Sequence, residues 1–184
     1  MRKFFALLFL MSCFFSCKTP EARKPVKKTS GTSFIKESAE RNKKLIAEEE
    51  ALITEIIRKD TLNDYIASES GFWYYYNRKD TLSQIMPKYG DNVVFSYDIK
   101  KLSGETILSQ NETGLQNYVV DQTNQELISG IRDGIKLMKE GETVTFLFPS
   151  HKAYGYYGLE NRLGTNVPIQ STITLKSINS TENN

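Results

Sequence analysis

The stretch MKEGETVTFLFPSHKAYGYYG, Met138 to Gly158, decides how the rest of the chain is read. Its spacing predicts a short helix that ends on Gly141, then a strand through Val144, Phe146 and Phe148. Gly141 suits the position after a helix, where a left-handed backbone needs no Cβ. Pro149 lacks an N–H and closes the strand. Ala153-Tyr154-Gly155 follows, with a second glycine at Gly158. The strand thus delivers Tyr154, in apolar surroundings and with a free hydroxyl, into a tight turn.

Working outward, Val93, Phe95, Tyr97 and Ile99 alternate with polar residues, as expected of a strand with one buried face. Ser103-Gly104-Glu105 turns the chain into a strand at Thr106-Ile107-Leu108. Asn111 to Gly114 reads as loop and Tyr118-Val119-Val120 as a short strand. Leu127-Ile128-Ser129-Gly130 leads into a helix from Ile131 to Lys139. Gly158 to Val167 reads as a long polar hairpin loop, and Thr172 to Ile178 as the closing strand. Upstream, the aromatic run Phe72 to Tyr76 has high strand propensity and is expected as a buried first strand. An adhesive aromatic surface is the weaker alternative. Thr61 to Ser70 reads as a turn-rich connector with a helical turn near Tyr65-Ile66. The fold class is α+β: a twisted antiparallel sheet wrapped over one short helix, leaving room between them for an apolar pocket.

The N-terminal third has another character. Met1-Arg2-Lys3 is a positive n-region and Phe4 to Phe15 an apolar run of signal-peptide length, too short to span a bilayer comfortably. Small residues precede Cys13 and Cys17, and each cysteine resembles the lipidated residue of a bacterial lipoprotein box. Cys17 is favoured because charge begins only at Lys18; Cys13 and an ordinary cleaved signal stay open. Residues 1–17 are thus read as a lipoprotein signal and 18–33 as a disordered tether. Residues 34–60 are read as an amphipathic helix capped by Ser33. That helix either docks on its own domain or pairs with a second copy through Phe34 to Ile57, giving a homodimer.

Composition removes several classes of function. No cysteine follows Cys17 and His151 is the only histidine, so disulfide frameworks, zinc sites of the usual composition and His-based triads are unavailable. Residues 71–178 carry as many acidic as basic residues, which removes the case for a nucleic-acid footprint. No metal or cofactor is implied.

These motifs resemble the FKBP-type peptidyl-prolyl isomerases over residues 71–178. The matching pieces are Met138…Gly141, Phe148-Pro149, Ala153-Tyr154-Gly155…Gly158 and Val167-Pro168. Tyr89-Gly90-Asp91 opens the second strand as in the family and places Tyr97 in the pocket wall. Leu127-Ile128-Ser129-Gly130-Ile131 matches the family's V-I-x-G-W. The resemblance implies a pocket with Ile131 as floor and Tyr97, Tyr118, Ile107 and Leu175 as walls. Leu108, Leu127 and Val167 would add to the substrate-binding surface. It also implies two donors to substrate carbonyls, the Ile128 N–H and the Tyr154 hydroxyl. Three positions depart from the pattern: Leu108 stands for an Asp, Ile131 for the floor Trp and Ile107 for a Phe.

The resemblance implies a peptidyl-prolyl cis-trans isomerase acting on Pro-containing polypeptide clients, lipid-anchored in the bacterial envelope and facing periplasm or cell surface. The layout is also similar to the gliding-motility-associated isomerase lipoproteins. The alternative is a non-catalytic FKBP-like chaperone or structural subunit that binds Pro-containing segments.

Overall fold

The computed structural model describes residues 30–122 and 127–180, with side chains from residue 34 onward. The expected signal, both cysteines and most of the expected tether lie outside the described residues. The chain divides into two compact units, residues 1–38 and 39–184. In the first, the described residues are the opening turns of helix α1 (Ser30–Lys59), which therefore starts inside the segment expected as tether. From Ala39 onward, α1 belongs to the same unit as the sheet.

That unit continues with β1 (Ile66–Ser68), β2 (Phe72–Arg78), β3 (Asn92–Tyr97), β4 (Ile99–Lys101) and β5 (Thr106–Leu108). Then come α2 (Gln110–Thr113), β6 (Gln116–Val119), α3 (Ser129–Ile135), β7 (Thr143–Phe148) and β8 (Ile169–Asn179), with a 3-10 turn at Ser150–Lys152. The eight strands form one antiparallel sheet in the order β1-β2-β7-β8-β3-β6, and β4 joins β8 and β5. The α+β expectation holds, with the short helix α3 packed into the sheet's core.

The core follows the period of the strands. In β8 the buried residues are Ile169, Ser171, Ile173 and Leu175, every second position. In β7 the alternate residues Val144, Phe146 and Phe148 enter the main apolar cluster, while Thr145 and Leu147 are also buried. Phe146 and Phe148 stack with ring centroids 5.5 Å apart, and Phe72 meets both edge-on. The aromatic run is therefore a strand, the second of the sheet and not the first, with Phe72 sealed and Trp73 to Tyr76 half-buried.

Helix α3 reaches this aromatic stack because two glycines face it. A Cβ on Gly130 would lie 2.6 Å from the Phe148 ring and 2.9 Å from the Lys152 carbonyl oxygen. A Cβ on Gly134 would lie 2.9 Å from the Phe146 ring. Gly130 and Gly134 sit at i and i+4, on one helix face.

Several boundaries differ from the sequence expectation, each for a local reason. Helix α3 stops at Ile135, short of Gly141, because the next amides fold back by three residues: Leu137 N donates to Gly134 O and Met138 N to Ile135 O. Gly141 does have positive φ, +83°, but it serves the turn into β7, donating its N–H to Leu175 O at 2.8 Å. The strand expected through Ile99 breaks at Asp98. There the Asp98 carboxylate accepts from Thr172 N at 2.8 Å and its carbonyl from Ser171 Oγ at 2.7 Å. Residues expected as a connector with a helical turn form β1, on the edge of the sheet. Part of the expected loop at Asn111 is the one-turn helix α2.

Helix α1 docks on its own domain. Ile53 is fully buried, and the buried Glu49 accepts hydrogen bonds from Ser150 N and Ser150 Oγ, both at 2.7 Å. Phe34, Ile35 and Leu52 remain exposed.

The Gly130 contact gives a direct test. Gly130→Ala is expected to lower stability by about 1–3 kcal/mol through overpacking, although alanine is the better helix former by about 1 kcal/mol. Urea unfolding should show a lower midpoint at unchanged slope; an unshifted midpoint means α3 does not ride this close to β7.

Candidate functional site

The strands deliver the site residues from separate parts of the chain. Tyr97 ends β3, Ile107 and Leu108 lie in β5, Tyr118 in β6 and Leu175 in β8. Leu127 and Ile128 lead into α3, Ile131 lies in its first turn, and Val167 precedes β8. Tyr154 follows the 3-10 turn after β7. All ten residues singled out from sequence meet in one apolar cluster.

Within that cluster they divide by depth. Tyr118 and Leu175 are sealed from solvent, and Ile131 nearly so at 1% exposure. Ile107, Leu127 and Ile128 are buried as well. Tyr97, Leu108, Tyr154 and Val167 are half-buried and pack against the cluster from its partly exposed side. Tyr118 backs this wall and also holds the next turn, because its hydroxyl accepts the Asp121 N–H at 2.8 Å.

Two polar groups in this apolar setting have no partner among the described residues. No described residue hydrogen-bonds the Tyr154 hydroxyl; Leu108, an aliphatic residue, stands where the family has a carboxylate. Burial pushes the Tyr154 phenol up to about 12, with a smaller push from neighbouring Tyr97. Burial raises Tyr97 too. Nor does a described residue accept from the Ile128 N–H, which precedes the first turn of α3, where amides have no partner inside the helix. The Ile128 carbonyl is used, accepting from Ile131 N and Arg132 N.

The turn carrying Tyr154 is fixed by its backbone. Ser150 O accepts from Ala153 N and from Gly155 N, both at 2.9 Å, and Gly155 O accepts from Asn166 N at 2.8 Å. Gly158 has φ +65°, and a Cβ there would meet Leu163 O at 2.4 Å, so only glycine fits.

A family model described as FKBP-type peptidyl-prolyl cis-trans isomerase matches residues 83–176. The chain belongs to that family. This FKBP-type chain is 28% identical over 134 residues to the probable FKBP-type peptidyl-prolyl cis-trans isomerase FkpA of Neisseria meningitidis, covering 73% of this chain and 46% of that protein. It therefore spans about half the length of the curated relative it matches. Among solved structures it resembles FkpA from Escherichia coli with TM-score 0.58 and 22% identity, over 80% of this chain and 68% of that one. It also resembles a peptidyl-prolyl cis-trans isomerase from Pseudomonas syringae with TM-score 0.58 and 18% identity, over 75% of this chain and 96% of that one. Both likenesses concern the fold.

Three residues that pack on or tie down this cluster escaped the sequence reading. Leu159 and Leu163, in the loop expected to be polar, bond to each other's backbone at 2.9 and 2.8 Å and pack on the apolar cluster. Their four-residue spacing was the available signal. Arg162, between them, donates from Nη1 to Ile107 O at 3.0 Å and to Glu112 Oε1 at 2.9 Å, tying this loop to β5 and α2. Glu112 in turn closes a capping box with Ser109, legible as S-x-x-E.

The Ser109 N–H, then the Arg162 guanidinium and the Ser109 hydroxyl, hold the Glu112 carboxyl down to about 2. Since an unfolded glutamate titrates near about 4.3, this anchor contributes fully above that pH and fades as pH falls through about 2. Carboxyl carbon NMR should show Glu112 titrating near that lower value, and Arg162→Ala should raise it while leaving it depressed by Ser109. An ordinary glutamate titration in the parent protein would remove the clamp.

Proposed function

We propose that the chain is a peptidyl-prolyl cis-trans isomerase whose site lies where Tyr97, Leu108, Tyr154 and Val167 leave this apolar cluster open to solvent, with Ile131 beneath them as its floor. Rotation about a peptide bond crosses a barrier of about 18–20 kcal/mol, and an uncatalysed X-Pro bond takes tens to hundreds of seconds. The chemistry needs no nucleophile. The twisted transition state has lost amide resonance and its charge separation, so a dry apolar setting favours it over the planar ground state. The prolyl ring sits on Ile131, walled by Tyr97, Ile107 and Leu108 and backed by Tyr118, Leu175 and Leu127, with Val167 at the rim. The Ile128 N–H and the Tyr154 hydroxyl donate to substrate carbonyls and orient the chain. The observation that carries this reading is the Tyr154 hydroxyl, half-buried in the apolar cluster and bonded to no described residue.

The clients are Pro-containing segments of envelope or secreted proteins. The signal-like leader and Cys17, with Cys13 as the alternative, support a lipid anchor in the bacterial envelope, and the overall layout supports a part in gliding motility. No described helix is long and apolar enough to cross a membrane. The exposed Phe34, Ile35 and Leu52 of α1 leave apolar surface for a second copy, and sedimentation of the full chain separates monomer from homodimer.

A second reading rests on Leu108 and Ile131. Without the family's carboxylate and floor Trp, the site holds Pro-containing segments as a chaperone or structural subunit without accelerating their isomerisation.

Isomerisation of a Pro-containing tetrapeptide decides between the two. Tyr154→Phe should lower kcat/KM by about three- to tenfold, the worth of one hydrogen bond of roughly 0.5–1.5 kcal/mol. A parent rate equal to buffer removes the enzyme; peptide binding without rate enhancement selects the second reading. The pH profile adds a sign. Tyr154 keeps its proton to about pH 12 when folded, against about 10 unfolded. The rate should therefore stay flat up to about pH 10, while the stability held by burying the neutral phenol is lost as pH rises from there through about 12.

A further inference from the structure

Helix α1 does more than bury Ile53. Ile46, Glu49 and Ile53 follow one another at three- and four-residue steps, so Glu49 occupies a position on the helix's inward stripe. It is 5% exposed. A carboxylate buried this deeply is costly unless it is hydrogen-bonded. Both of its oxygens are: Oε2 accepts from Ser150 N and Oε1 from Ser150 Oγ, each at 2.7 Å. Ser150 is itself 3% exposed and is the first residue of the turn that leads to Tyr154.

The other end of Ser150 faces the site. Its carbonyl accepts the N–H groups of Ala153 and Gly155, the residues on either side of Tyr154, at 2.9 Å each. One serine is thus held at its amide and hydroxyl by α1 and at its carbonyl by the backbone that carries the site tyrosine. Gly155 lies at φ +53°, a region that glycine enters without penalty. The backbone there is free to leave its present conformation unless hydrogen bonds retain it.

We infer that Glu49 is a positioning residue for Tyr154, acting through Ser150, so that α1 is part of the site's machinery. The inference rests on the reading of Tyr154 as the group that orients substrate. It is separate from simple docking, because docking alone would let Glu49→Ala weaken the fold while leaving the set of Tyr154 in the folded molecule unchanged.

The full chain is used for the test, read by hydrogen exchange at the Gly155 amide and by tetrapeptide isomerisation. In Glu49→Ala that amide should exchange about tenfold faster or more, in line with losing hydrogen bonds to a charged group. kcat/KM should fall about as far as in Tyr154→Phe, and the double variant should fall little further than either single one. Glu49→Gln, which keeps an acceptor for the Ser150 N–H, should recover most of both. A folded Glu49→Ala protein with parental Gly155 exchange overturns the relay, as does a rate loss that adds fully to that of Tyr154→Phe. Should Glu49→Ala not fold, Ser150→Ala replaces it: it removes one of the two bonds and keeps the carbonyl, and unchanged exchange there is equally fatal. If the parent protein has no isomerase activity, the function reading falls, while Gly155 exchange still judges the relay.

Discussion

The close approach of α3 to β7 is the constraint on which the rest of the molecule depends. Two glycines one turn apart let α3 come close against Phe146 and Phe148, where a Cβ would collide with the rings. The rings stack on each other and against the edge of Phe72, giving a rigid aromatic layer directly under the helix. With α3 seated there, Ile131 sits in the core and the Ile128 amide, which no described residue accepts from, stands at the helix entrance. Where the family carries a tryptophan on this helix, the chain has an isoleucine, and the aromatic rings of its core come from the strands: Phe72, Phe95, Tyr118, Phe146 and Phe148.

What could be read in the sequence was what rests on period and on punctuation. The alternation in β3 and the glycine-proline framing of β7 gave the sheet, and the spacing around Tyr154 gave the turn. The family resemblance supplied the site residues, and the structure gathers all ten into one cluster. Several misses share a cause: they depend on partners distant in sequence. Asp98 looks like an outward residue of one long strand, yet its contacts with Ser171 and Thr172 divide that strand in two. Gly141 looks like a helix stop, yet its amide belongs to Leu175. Ile66 to Ser68 carry no alternation of their own and become a strand only by pairing with β2. Glu49 reads as one more charge on a charged helix; its burial depends on Ser150, which lies at the far end of β7. Two features were local and still went unread, the capping box at Ser109-Glu112 and the leucine pair around Arg162.

The order of pairing has a consequence for how the chain is made. Strand β8 follows the other seven in sequence, yet it is bonded to β7, β3 and β4 and occupies the middle of the sheet. Until its residues have been synthesised, β3 and β7 have no common neighbour, and the two halves of the sheet remain separate hairpin-sized fragments. Contacts between residues so far apart close late and slowly. A chain made in order thus keeps its sheet in separate parts until Ile169 to Asn179 has been made. The sheet becomes one body only when that strand slots in between β7 and β3.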